Sequence, residues 1–236
     1  MRKFYHAFIL LACIFALPMQ ARFYLGVEGG YTGSNPYYDL GNSDAIFITI
    51  PTSHISGAFG KSFNGFNASF NLGTENFFND YVGTRLDFSV GYTFLSKKFD
   101  NLKAQMNFIT SGLYLDLLTN LYKTEFFEIG LFGGAGLDIF YNTKQLTEDD
   151  MEGLDSDAIS EQTILDAQQF YSNAALTSRI LANVAGRVGI TTLIAKNHRI
   201  EILAKLPIGS INTFPFIGGG LNLANLSLNL GYRFVF

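Results

Sequence analysis

The last eleven residues constrain the chain most. Leu226, Leu228, Leu230, Tyr232, Phe234 and Phe236 alternate with Ser227, Asn229, Gly231, Arg233 and Val235. A period of two over this length is a β-strand with one apolar and one mostly polar face. A face this apolar must be set against a core or against lipid.

The pattern recurs along the chain and predicts an all-β protein of eight strands, at about 23–31, 64–73, 82–94, 105–118, 126–141, 178–192, 198–208 and 226–236. The third is the clearest internal case. Val82, Thr84, Leu86, Phe88, Val90, Tyr92 and Phe94 face one way, and Gly83, Arg85, Asp87, Ser89, Gly91 and Thr93 face the other. No charged residue of these strands falls on an apolar face, where it would cost about 2–4 kcal/mol at the middle of a bilayer. The polar faces carry Gly, Asn, Ser and Thr with isolated charges of both signs. An open surface sheet carries many Lys and Glu there; this composition suits a crowded interior.

The connections alternate in length, long at 32–63 and 142–177 and short at 74–81, 119–125 and 193–197. Short turns at one end and long loops at the other are the habit of an outer-membrane barrel. Lys196-Asn197-His198 is expected to form a tight turn, since Asn is a common turn former. A ten-strand alternative would add 45–50, paired with residues near 56–63. Pro51 breaks the pattern there and no clear polar face exists, so eight strands are preferred.

The N-terminus begins Met1-Arg2-Lys3. An apolar run follows from Phe4 to Leu17, interrupted by His6, and then Pro18-Met19-Gln20-Ala21. This is the grammar of a secretory signal peptide, with cleavage expected after Ala21, leaving 22–236 as the barrel. The run is too short for a spanning helix, which needs about 20 residues. Leu10 to Cys13 loosely matches a lipoprotein cleavage box, but the apolar run continues past Cys13 as a signal core would. Cys13 is the only cysteine, so the exported chain is expected to lack disulfides and Cys-ligated metals. Residues 142–177 hold eight acids and one base, Lys144. Nothing in the chain forms the clustered basic surface of a nucleic-acid binder.

Export and alternation together predict a transmembrane antiparallel up-and-down β-barrel in a bacterial outer membrane. The end of the chain resembles the assembly signal of such barrels: a final aromatic, Phe236, with Phe234 and Tyr232 two and four positions earlier. That resemblance implies reading by the barrel assembly machinery. More narrowly, the start at Arg22-Phe-Tyr-Leu-Gly-Val-Glu-Gly-Gly-Tyr31, the Gly- and Asn-rich strands and the stretch 199–236 resemble Helicobacter outer-membrane proteins of the Hop and Hor type. Longer members of that family carry an external adhesin domain after the first strand, where this chain has only about thirty residues.

The candidate site residues are charges on the inward faces: Glu28, Arg85, Asp87, Asp116, Glu128, Asp138, Arg187, Glu201, Lys205 and Arg233. Either they pair inside a filled barrel or they line a selective pore. Eight strands leave just enough room for side chains, and buried charges need partners, so pairing is expected. Asp149, Asp150, Glu152, Asp155 and Asp157 could offer oxygens to Ca²⁺, but their spacing matches no calcium loop and a solvated external loop is expected. His54 and Ser56 could form a base and hydroxyl pair, as in lipid-modifying outer-membrane hydrolases; no carboxylate lies nearby in sequence. His198 is expected in a turn. No catalytic residue, cofactor or metal is assigned. The expected role is a non-enzymatic surface protein holding external loops for envelope or host contact. A narrow diffusion channel is the alternative, and a lipid hydrolase ranks third.

Overall fold

The computed structural model describes residues 21–39, 46–47, 63–99, 102–143, 180–211 and 220–236. Its elements are β1 Arg22–Asp39, β2 Ile46–Phe47, β3 Phe63–Phe77, β4 Val82–Phe99, β5 Leu102–Lys123, β6 Phe127–Asn142, β7 Ile180–Ile194, β8 His198–Ile211 and β9 Gly220–Val235. No helix among the described residues is long and apolar enough to cross a membrane.

Each long strand pairs antiparallel with its neighbour in the sequence, and β9 pairs with β1 on one side and β8 on the other. The sheet thus closes into an eight-stranded barrel. Closure between the first and last long strands runs from Tyr24 opposite Val235 to Asp39 opposite Gly220. It removes the unpaired edges that hydrocarbon would not tolerate.

The alternation read from sequence becomes an inside and an outside. Phe70, Leu115, Leu117, Leu131, Ile190, Ile202 and Leu230 stand exposed on the outer wall, as an apolar band toward lipid requires. Tyr31, Phe66, Tyr92 and Tyr141 lie toward one rim of that wall. Phe23, Phe127, Phe234 and Phe236 lie toward the other. Paired aromatic girdles of this kind mark the two membrane interfaces. Inside, glycines admit large rings: a Cβ on Gly136 would strike the ring of Tyr114, and one on Gly189 that of Phe132.

The strands outrun the stretches read from sequence. β1 continues to Asp39, β4 to Phe99, and β5 starts at Leu102, so only residues 100–101 separate β4 from β5. The reason is physical. Apolar alternation ends where the bilayer ends, while backbone pairing continues above it. The ten-strand alternative fails as well: Ile46 and Phe47 pair with Ile211 and Ser210 of β8, a short addition to one strand rather than two further walls. The tight turn is Ala195 to Asn197, with Ala195 and Lys196 at φ of 51° and 67°. His198 is the first residue of β8, its ring Nδ1 2.7 Å from the Tyr232 hydroxyl. Pro207, which cannot donate to a ladder, sits where the β7–β8 register shifts.

The signal segment, the acidic residues Asp149, Asp150, Glu152, Asp155 and Asp157, and the pair His54 and Ser56 lie outside the described residues.

Candidate functional site

The inward faces meet in the lumen as one charged network. Period-two geometry places Arg85 and Asp87 of β4, Asp116 of β5, Arg187 of β7, Glu201 of β8 and Arg233 of β9 on the same side of the wall. All are essentially excluded from solvent. Arg85 donates from Nε to Asp116 Oδ2 at 2.8 Å and from Nη1 to Glu201 Oε1 at 2.5 Å. Arg187 forks onto Asp116, Nε to Oδ1 at 2.6 Å and Nη2 to Oδ2 at 2.5 Å, and its Nη1 lies 3.5 Å from Asp87 Oδ1. Arg233 pairs with Glu201 and with Asp87, the latter at 3.0 Å. Three arginines thus interleave with three carboxylates across the lumen. Such pairs hold in a low dielectric only when geometry and further hydrogen bonds offset desolvation.

Those further bonds are present. Tyr24 donates its hydroxyl to Asp87 Oδ2 at 2.6 Å, and Asn71 its amide to Asp87 Oδ1 at 3.1 Å. The guanidiniums also lie over rings, Arg85 4.4 Å from the Phe132 centroid and Arg187 4.3 Å from that of Tyr114. Cation–π contact of this kind favours the charged form in a dry site.

Around this centre lie further pairs, one of which is joined to it because Glu28 lies 3.8 Å from Arg233. Lys205 reaches Glu28 at 2.8 Å, and Asn229 donates to the same carboxylate oxygen at 2.7 Å. Glu128 lies 3.7 Å from Arg22. Asp138 accepts the Tyr114 hydroxyl at 2.5 Å. Among the described residues, two buried charges escaped the sequence reading. Arg199 donates to Glu75 at 2.9 Å and to Thr191 at 2.8 Å, with Arg199 and Glu75 both buried. Glu75 continues the inward parity of Asn71 and Gly73, and Arg199 that of Glu201. Carrying each alternation one step further would have found both.

Toward the end opposite the short turns, Phe63, Leu95, Met106, Phe108, Phe140 and Leu181 are buried, and Phe108 meets Phe140 edge to face at 5.9 Å. A small polar cavity of about 30 Å³ lies in the lumen on the side of the long connections, bordered by Asp138, Lys205 and Phe140.

On the outer wall, Tyr232, Phe234 and Phe236 line one side of β9 and its end. His198 meets Phe234 edge to face at 5.6 Å, and Phe234 meets Phe236 at 5.1 Å. The Phe236 N–H donates to the Phe23 carbonyl at 2.8 Å.

A family model described as Helicobacter outer membrane protein matches residues 69–236. Among solved structures, Neisserial surface protein A is 14% identical, with a TM-score of 0.42, over 91% of this chain and 97% of that one. The outer membrane protein OprG of Pseudomonas aeruginosa is 15% identical, with a TM-score of 0.42, over 92% of this chain and 97% of that one. Ail, the attachment invasion locus protein of Yersinia pestis, is 15% identical, with a TM-score of 0.35, over 89% of this chain and 98% of that one. No curated protein matches the sequence.

Proposed function

The chain belongs to the Helicobacter outer membrane protein family, and from that premise we propose that its barrel is a closed, non-enzymatic scaffold that holds external loops for envelope or host contact. The chain is an outer-membrane β-barrel, and its outer wall faces lipid. The observation that carries the proposal is the lumen: Arg85, Arg187 and Arg233 interleave with Asp87, Asp116 and Glu201, all buried, across the space a solute would need. A plugged barrel can still anchor loops, and segments 40–62 and 144–179 join strands at the end opposite the short turns. Barrel assembly machinery would read Tyr232, Phe234 and Phe236 during insertion, after a signal peptide spanning 1–21 is removed.

The experiment is planar-bilayer recording with purified protein. The expected result is no conductance above leak. Discrete, reproducible openings would replace the scaffold with the narrow diffusion channel. Surface exposure is checked separately by placing an epitope tag after Gly153. Antibody should reach it on intact cells, and failure to do so would reverse the assigned orientation. Lipid A masses should be unchanged on expression of the chain; a shift would restore the hydrolase reading.

A further inference from the structure

The lipid-facing wall is not smooth. Gly29 of β1 falls on its outward parity, between Val27 and Tyr31. The missing side chain opens a cleft of about 400 Å³, walled by Val27, Ile200, Leu230 and Tyr232. The backbone at Glu28 and Gly231, positions that face the lumen, forms its floor. The cleft crosses three strands, since Gly29 stands opposite Leu230, and Tyr232 opposite both Val27 and Ile200.

At its short-turn end the cleft meets a polar group. His198 lies two residues before Ile200 on the same outward face and is exposed. Its Nδ1 is 2.7 Å from the Tyr232 hydroxyl, and its ring packs on Phe234. A hydroxyl donating to Nδ1 leaves the ring proton on Nε2, and Nε2 has no partner among the described residues. Lys196, exposed in the adjoining turn, adds an ammonium to the same rim. The chain-end carboxylate of Phe236 shares that rim.

Within hydrocarbon there is no hydrophobic drive to cover an apolar cleft; association rests on close packing and polar contacts. An empty cleft leaves its lining atoms without partners on one side. A flexible chain can fill it where a rigid wall cannot. We infer that the cleft seats one acyl chain of a glycerophospholipid, with the lipid phosphate accepting a hydrogen bond from His198 Nε2 and facing Lys196. A phosphate acceptor makes that bond charge-assisted. The choice of a glycerophospholipid rests on the proposed orientation, which puts this rim at the inner leaflet. It does not depend on whether the barrel conducts.

The test is native mass spectrometry of the barrel refolded in detergent micelles and titrated with dimyristoyl phosphatidylethanolamine. Its headgroup ammonium tolerates the Phe236 carboxylate. Dimyristoylglycerol supplies the same chains without phosphate. One saturable phospholipid adduct is expected, with dimyristoylglycerol retained several-fold less. Gly29→Leu fills the cleft; an added Cβ there has the Asn67 carbonyl as nearest neighbour, at 3.3 Å. Retention should fall about tenfold. Gly133→Leu is the control, an outward glycine where a Cβ would meet the Arg187 carbonyl at 3.8 Å, and should leave retention unchanged. His198→Ala should erase the preference for phosphatidylethanolamine over dimyristoylglycerol. Heat-modifiable gel mobility checks that each variant folds. If Gly29→Leu does not, the two lipids and His198→Ala still decide. No saturable adduct in wild type would overturn the proposal, as would equal losses in the two glycine variants or a lipid preference that survives His198→Ala. Lipid A retained in place of the phospholipid would overturn it too, and the epitope tag would show separately whether the orientation had failed. A dimer that Gly29→Leu dissociates would assign the cleft to a second copy of the chain instead.

Discussion

Arg187→Ala is the sharpest probe of the lumen. The arginine forks onto Asp116 with two bonds of 2.5–2.6 Å, lies 3.5 Å from Asp87 and rests on the Tyr114 ring. Its removal leaves the central cluster with three carboxylates and two arginines. Breaking a buried pair from one side costs roughly 3–5 kcal/mol, and the lost ring contact adds about 1 kcal/mol. Two features lower the sum. Asp116 keeps Arg85 at 2.8 Å, and Asp87 keeps Arg233 at 3.0 Å. The expected loss is therefore about 3 kcal/mol. The measurement is urea unfolding in micelles, followed by tyrosine emission, because the chain has twelve Tyr and no Trp, and by heat-modifiable gel mobility. Asp116→Asn in the Arg187→Ala background removes the stranded charge. The double variant should be more stable than the two single losses predict, by more than about 1 kcal/mol. A loss below about 1 kcal/mol for Arg187→Ala, or strict additivity in the cycle, would refute an energetically coupled plug.

Further outcomes follow from other parts of the wall. Leu115→Arg places a charge on the exposed apolar band and should cost about 2–4 kcal/mol in the same unfolding assay; a neutral effect would mean that this face does not meet hydrocarbon. Deleting Phe236 removes one backbone bond to Phe23, so the refolded barrel should lose little stability in micelles. Outer-membrane insertion in cells should fall sharply, as quantified by fractionation; unchanged insertion would remove the role assigned to Tyr232, Phe234 and Phe236. Ala195→Gly relieves a left-handed residue at φ 51° and should raise stability by about 1 kcal/mol, read as a later urea midpoint.

The alternation of Leu226 to Phe236 and Val82 to Phe94 was enough to predict strands, their facing and the closed barrel, because a one-residue change of parity would carry charges into lipid. Parity alone also turned Arg85, Asp87, Arg187, Glu201 and Arg233 inward. It did not extend to Glu75 and Arg199, since the apolar face that marks parity thins at the rims, nor to the strand ends beyond the bilayer, where pairing persists without a greasy face. Partners were a different matter. Arg85 meets Glu201 across 116 positions, and Arg233 meets Asp87 across 146. Asp138 sits among inward charges like the others, yet no arginine reaches it. Which charge meets which depends on how the strands are staggered when the sheet closes on itself, and that stagger is a property of the whole barrel that no single strand encodes.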